Sequence, residues 1–186
     1  MELRQFFTTL QARWRFGLIT FVLGVIATVL LVLSLAPQYG STVKVFMSTP
    51  AGGTTEYVAA YTLQQRVASY ADLAVDPAVL ETVVDRLNLD ETPGQLAGQV
   101  KASVVTNTQT IQIAVTASTP EQAQLIAGAE ADAVVALVKR LERPATSGQP
   151  AAVTARIAAD PSFSSTPVAP NVPLNLAAGI LVSLFL

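Results

Sequence analysis

The chain has no cysteine and no histidine, and charged residues fill only 13% of its 186 positions. The missing cysteine excludes disulfides and thiolate metal ligands. The missing histidine excludes imidazole ligands and the side chain most often used for acid–base catalysis near neutral pH. These absences make a membrane-tethered enzyme the less favoured function class, and we expect no metal site, no cofactor and no catalytic residue. Soluble domains usually carry about 25% charged residues, so the deficit indicates that part of this chain lies in a membrane.

An uncharged run of 21 residues, Phe16–Ala36, follows a short basic segment. As a helix it would be roughly 31 Å long, which matches the hydrocarbon core of a bilayer. The segment before the run contains three arginines, Arg4, Arg13 and Arg15, and only one acid, Glu2. The positive-inside rule then predicts a cytoplasmic N-terminus.

A secretory signal peptide is the competing interpretation of this run. Its apolar region would be only about 7–15 residues long and would end at a small-residue cleavage site. The one plausible site, after Ala36, is followed by Pro37. The sequence therefore favours an uncleaved membrane anchor.

A second apolar segment, Val172–Leu186, contains no charge. Fifteen helical residues span about 22 Å, which is less than the bilayer core. The segment is then either an incomplete transmembrane helix of a chain cut short at Leu186 or a wedge, and we expect the first. The span from Gln38 to Asn171 holds twelve acids and eight bases. It is long enough for one domain, and it shows no basic stripe of the kind that binds nucleic acid.

Alternation of apolar and polar side chains predicts strands at Tyr39–Ser48, Val100–Thr106, Thr110–Thr116 and Ala151–Ala159. A period of 3.6 residues predicts helices at Thr55–Ala74, after Asp76, briefly after Thr92, and from Thr119 to Glu142. This order predicts an α+β fold: a small mixed, largely antiparallel sheet with helices on one face, bracketed by two transmembrane helices. The first and last strands both adjoin apolar segments, so we expect them to be neighbours in the sheet.

Three helix starts share one pattern, a capping side chain followed directly by proline. The caps are Asp76, Thr92 and Thr119. The side chains expected to face the core are Leu63, Val67, Tyr70 and Ala74 in the first helix, Val79, Leu80, Val83, Val84 and Leu87 in the second, and Ile126, Ala133, Val134, Leu137 and Leu141 in the last.

Four stretches in this order carry a resemblance to a known family. They are "PQYGSTVKVFM" after the first apolar helix, "NTQTIQIAVTASTPEQAQLIAGAEADAVV" (Asn107–Val135), "AAVTARIAADP", and "PVAPNVPLNLAAGILVSL" at the second apolar segment. With these stretches the chain resembles the Wzz family of chain-length determinants, or polysaccharide co-polymerases. The long helical arm of many members has no room between Thr55 and Leu96, so the likeness is to the compact members of Gram-positive-type envelopes.

The resemblance implies a non-catalytic protein of the plasma membrane that forms a homo-oligomer and regulates the chain length or export of a cell-envelope polysaccharide. It implies contacts with membrane lipid and with a polysaccharide polymerase. The alternative is an activator or adaptor of a cytoplasmic tyrosine kinase that controls polysaccharide synthesis. The residues carried over from the family pattern are Pro167, Pro170, Pro173, Asn175 and Gly179. The implied organisation has five parts. They are a cytoplasmic N-terminal segment (1–15), a first transmembrane helix (16–37), an extracytoplasmic domain (38–160), a proline-rich linker (161–173) and a second transmembrane helix (174–186).

Three further features of the sequence bear on function. The prolines at Pro167–Pro173 are expected to be extended and stiff, either as a strut that transmits orientation or as a plain helix start. The acids between Asp72 and Glu91 fit a solvated helix surface better than a pair of glycosidase carboxylates, which must converge across a sugar. The glycines Gly17, Gly24 and Gly179 are candidates for close helix packing in the bilayer, although only Ala27 and Thr28 provide small partners near Gly24.

Overall fold

The computed structural model describes residues 2–49, 56–144 and 151–185. In chain order the elements are α1 (Glu2–Ser34), β1 (Gln38–Ser48), α2 (Glu56–Ala74), α3 (Pro77–Leu87), α4 (Pro93–Ala97), β2 (Val100–Val104), β3 (Thr110–Ala117), α5 (Pro120–Leu141), β4 (Thr154–Ala159), β5 (Pro167–Ala169) and α6 (Val172–Phe185). The chain divides into two units. We call Met1–Gln38 with Pro167–Leu186 the helix unit, and Tyr39–Thr166 the sheet unit.

The sheet unit is built on an antiparallel sheet with the strand order β2-β3-β1-β4. β1 pairs with β3 from Tyr39 opposite Ala117 to Phe46 opposite Thr110. On its other edge β1 pairs antiparallel with β4, and the register shifts after Lys44. The first and last predicted strands are therefore neighbours, as expected. The three pairings β1–β3, β1–β4 and β2–β3 are all antiparallel, so within these pairings the predicted mixed character is absent.

One face of the sheet forms the core, and the helices pack against it. The inward side chains of β1 and β3 are almost completely buried, while the alternate residues are half-buried or exposed; the inward set is Val43, Val45, Met47, Ile111, Ile113 and Val115. This two-residue period is the one that predicted the strands. The α+β class and the coverage of one sheet face are thus confirmed.

The three predicted helix caps are all present. Asp76 Oδ1 accepts a hydrogen bond from the Ala78 amide at 2.9 Å. Thr92 forms a full capping box with Gln95, whose side chain accepts from the Thr92 amide at 2.8 Å. Thr119 Oγ1 accepts from the Gln122 amide at 3.2 Å. Each bond satisfies an amide that the first turn of a helix leaves without a partner.

Most predicted inward positions are buried, with differences near helix ends. The stripe of α2 is buried throughout. In α3, Val84 and Leu87 are only partly buried against the core. In α5, Ala133 is half-buried, and Leu141 is 52% exposed because the helix ends at this residue. The predicted Leu137 is buried, and so is its neighbour Val138, which was not predicted. The predicted start of α2 at Thr55 lies outside the described residues.

The β2–β3 hairpin is shorter than predicted. β2 ends at Val104, and the Val105 amide donates to the Thr110 carbonyl at 2.9 Å. Asn107 has φ of 59° in the connection. Asparagine tolerates this left-handed conformation better than most residues, which explains a turn at that position.

Candidate functional site: the paired apolar helices and the buried acid

The helix unit contains one helix long and apolar enough to cross a membrane. Among the described residues this candidate span is Gly17–Ser34, inside α1. Its position near the N-terminus would also fit a signal sequence, since such sequences pass the same test of length and composition. α6 is a shorter apolar helix, Val172–Leu184 in its apolar part. The second transmembrane helix therefore stays a prediction.

α1 and α6 pack against each other through two glycines. A Cβ added at Gly24 would lie 2.9 Å from Ser183 Cβ, and one added at Gly179 would lie 2.7 Å from Thr28 Cβ. Both distances are shorter than side-chain atoms tolerate, so only glycine allows the helices to come this close. Because Gly24 meets Ser183 while Gly179 meets Thr28, the two helices run antiparallel.

The two contacts are chemically alike. Thr28 Oγ1 donates to the Gly24 carbonyl at 2.9 Å, and Ser183 Oγ donates to the Gly179 carbonyl at 2.7 Å. Each helix thus carries a glycine and, one turn later, a hydroxyl that is satisfied by its own backbone. The hydroxyl side chain of one helix then fits against the glycine of the other. We call these four residues the glycine–hydroxyl crossing.

The crossing confirms part of the glycine prediction and corrects the rest. Gly24 and Gly179 lie at the contact, whereas a Cβ at Gly17 would have no heavy atom within 4 Å. Ser183, which the sequence analysis did not select, is 4% exposed. The signal for it was present: "GVIAT" and "GILVS" place glycine and a hydroxyl at the same spacing in the two apolar segments.

The large apolar side chains of the two helices are mostly exposed. In α1 this set includes Leu18, Ile19, Val22, Leu23, Ile26, Leu30, Leu31 and Leu33, and in α6 it includes Leu174, Ile180, Leu181, Val182 and Leu184. An exposed apolar surface of this extent is unfavourable in water and normal in contact with lipid. The helix unit therefore has the surface of a membrane-associated structure.

The predicted proline segment leads into α6. Pro167 begins the short strand β5, where a loop was expected; the fixed φ of proline is compatible with such an extended segment. Pro170 follows a cis peptide bond with Ala169. Pro173 lies in the first turn of α6, as predicted. At this position an amide N–H would have no hydrogen-bond partner within the helix, so proline loses no hydrogen bond there.

The start of α6 is capped by a residue that the sequence analysis did not select. Asn171 Oδ1 accepts from the Leu174 amide at 3.3 Å, and the Asn171 carbonyl accepts from the Asn175 amide at 2.9 Å. The selected Asn175 is half-buried one turn before Gly179. The selected residues therefore lie on one short segment, and only Gly179 lies at the glycine–hydroxyl crossing.

The acids between Asp72 and Glu91 have structural partners or contact solvent. Asp76 is a helix cap, and Glu81 and Asp85 are exposed. Arg86, which follows Asp85 in the chain, forms an ion pair with Asp132 of α5 at 2.9 Å. Among the described residues no group of three or more acids is arranged to hold a metal ion.

In the described part of the chain, one acid is buried without a hydrogen-bond partner. Glu130 of α5 is completely inaccessible, and neither carboxyl oxygen has a hydrogen-bond partner in the described part of the chain. Burial disfavours the charged form and raises the pKa of Glu130 to about 8. Its position was readable from the sequence, because Glu130 falls four residues after Ile126 and four before Val134 on the same buried stripe.

Tyr70 links α2 to the end of α5. Its hydroxyl donates to Glu142 Oε1, which also lies 3.5 Å from Arg66 Nη1. Burial, followed by the adjacent Glu142 carboxylate, raises the pKa of Tyr70 to about 12. The neutral hydroxyl is therefore a permanent donor at physiological pH.

Comparison with known proteins gives one informative sequence match. No family model matches the chain. Over 115 residues the chain is 30% identical to the capsular polysaccharide biosynthesis protein CpsC of Streptococcus pneumoniae. This alignment covers 62% of the chain and 46% of CpsC. The chain thus spans about half the length of the curated relative it matches.

A solved structure, described as a full-length bacterial polysaccharide co-polymerase, aligns with 95% of this chain and 92% of its own at a TM-score of 0.46 and 12% identity. The similarity to CpsC, rather than this distant structural likeness, confirms the predicted family resemblance.

Proposed function

Because the chain resembles the Wzz-type polysaccharide co-polymerases, we propose that it is a non-catalytic membrane protein that regulates the chain length or export of a cell-envelope polysaccharide. The observation that carries this proposal is the glycine–hydroxyl crossing. It pairs two apolar helices that lie at opposite ends of the sequence, with the sheet unit inserted between them. The similarity to a capsule biosynthesis protein supplies the kind of product.

In this proposal both apolar helices cross the plasma membrane. The arginines at the N-terminus remain in the cytoplasm, and the sheet unit is extracytoplasmic. The antiparallel packing of α1 and α6 supports the two-pass arrangement, because a chain that crosses and returns must place its two helices in opposite directions. Homo-oligomers of this protein act on a polysaccharide polymerase by contact and not by chemistry of their own.

The topology is testable with single cysteines, since these 186 residues contain none. Ser118→Cys introduces an exposed thiol in the sheet unit. Thr8→Cys changes a residue of the N-terminal segment to cysteine. A membrane-impermeant maleimide should label the first variant in intact cells and the second only after lysis. Labelling of the Ser118 variant only after lysis would contradict the proposed topology.

The function is tested by deleting the gene. We expect the size distribution of one envelope polysaccharide to change on a gel while its sugar composition stays the same. Restoring the natural chain should restore the distribution. An unchanged distribution in the deletion strain would refute the proposed function.

A further inference from the structure

The sheet face opposite the core carries all the charge that the strands possess, and this charge is positive. β1, β2 and β4 each contribute one cation, namely Lys44, Lys101 and Arg156, and all three are exposed. β1 to β4 contain no aspartate or glutamate. The chain from Gln38 to Asn171 nevertheless has four more acids than bases. The positive charge is therefore concentrated on this face.

Strand register arranges the three cations along a diagonal. Lys101 lies opposite Ala114, which lies opposite Thr42, so Lys44 is two strands across and two residues further along. At the usual strand spacing and rise, their Cα atoms are about 12 Å apart. Arg156 lies opposite Phe46, one strand from Lys44 and two residues on, at about 8 Å. A diagonal of this kind follows an extended ligand rather than a compact one.

The groups along the diagonal are built for hydrogen bonding. The remaining side chains of this face are mostly hydroxyls and one amide: Thr42, Ser48, Ser103, Thr110, Gln112, Thr116 and Thr154. Phe46 is the one large apolar side chain of β1 on this face, and Arg156 lies over its ring at 5.3 Å from the centroid. The ring holds the guanidinium in place, and a positioned guanidinium binds carboxylate or phosphate in a bidentate manner.

Among the described residues none of the three cations forms an ion pair. The ion pairs in the described residues join Arg66 to Glu142 and Arg86 to Asp132. Neither pair involves Lys44, Lys101 or Arg156. The acid nearest in sequence to β4, Asp160, follows the strand directly and is exposed. We call Lys44, Lys101 and Arg156, with Phe46 and Gln112 between them, the cationic sheet face.

We propose that the cationic sheet face binds an anionic glycan, an extended sugar polymer that carries carboxylate or phosphate groups. This inference rests on the proposed function, to which it adds the charge of the polymer and the place where it binds. A second copy of the chain fits the face less well, because stable subunit interfaces have an apolar core and this face is polar. A lipid surface fits less well too, because the face has no exposed large apolar side chain to insert.

The test uses the full chain in discs of zwitterionic lipid, with polygalacturonate as the anionic probe and dextran as the neutral one. We expect binding of polygalacturonate that weakens with salt, and no binding of dextran. The variant K44Q/K101Q/R156Q should lower the affinity by about tenfold or more. The matched control K139Q/R140Q/R143Q removes the same charge from the end of α5 and its flank and should change the affinity by less than about twofold.

The double variant K44Q/K101Q keeps the contact of Arg156 with Phe46 and should also lower the affinity, which separates lost binding from lost folding. Equal losses in both triple variants would overturn the proposal, because they would show only non-specific attraction. Binding to phosphatidylglycerol vesicles without binding to polygalacturonate would overturn it in favour of a lipid surface. Dissociation of an oligomer by the sheet-face variant, without loss of glycan binding, would overturn it in favour of a subunit interface.

The outcome is separable from that of the proposed function. If the deletion strain has an altered polysaccharide length and the purified chain binds no anionic glycan, the proposed function stands and this inference fails. If polysaccharide length is unchanged in the deletion strain, the proposed function fails, whatever the chain binds.

Discussion

The protonation of Glu130 makes the stability of the sheet unit depend on pH. The carboxyl group is fully buried, and its pKa rises from 4.5 to about 8 in the folded chain. Between these two values the unfolded chain loses the proton while the folded chain keeps it, so stability falls as pH rises. The slope is about 1.4 kcal/mol per pH unit. The free energy of unfolding should fall by about 2.5 kcal/mol between pH 5 and pH 7. It should level off above about pH 8.

Urea unfolding followed by circular dichroism in a neutral detergent measures this slope. Glu130→Gln removes the titrating group and should flatten the dependence between pH 5 and pH 8. Glu121→Gln changes an exposed glutamate of the same helix and should leave the slope as it is in the natural chain. If the Glu130→Gln chain loses stability with rising pH as steeply as the natural chain, the carboxyl is ionised in the fold and the reasoning is wrong.

Three further predictions concern single contacts. Gly179→Leu should separate α1 from α6 and lower, by several-fold, the yield of disulfide cross-links between cysteines introduced into the two helices. Gly17→Leu should leave the cross-link yield unchanged, because a side chain at this position has open space. Asp76→Ala removes the cap of α3 and should cost about 1 kcal/mol in urea unfolding; no change would mean that the cap bond is unimportant. Tyr70→Phe should cost roughly 1–2 kcal/mol, because Glu142 loses a buried donor, and an unchanged midpoint would contradict this.

The sequence predicted those parts of the fold that depend on near neighbours. The three capping residues and their following prolines gave helix starts that the structure has. Alternation predicted the four main strands; in β1 and β3 one face is buried, whereas β4 is mostly exposed. Strand and helix ends were less well predicted: β2 stops at Val104, and α5 leaves Leu141 exposed. At the end of an element the buried face depends on what lies opposite, which a local pattern does not contain.

The site was predicted only in part. Gly179 was selected from the family pattern and lies at the helix contact, while Ser183 was missed because its role depends on Gly24 in the other helix. Glu130 was missed because a charged residue was not considered for the buried stripe of α5. In both cases the sequence contained the spacing, and only the structure shows which residues, remote in sequence, surround the side chain.

The sequence by itself determined the class of this protein. Its composition, its 21-residue uncharged run and its alternating strands specify apolar helices flanking an α+β unit, because hydrophobic periodicity and capping act over a few residues. Only the tertiary structure decided that Gly24 meets Ser183, that Lys44, Lys101 and Arg156 share one sheet face, and that Glu130 is buried with no hydrogen-bond partner among the described residues. These properties arise where distant segments come together, and burial and register there set the distance, charge and protonation of each side chain.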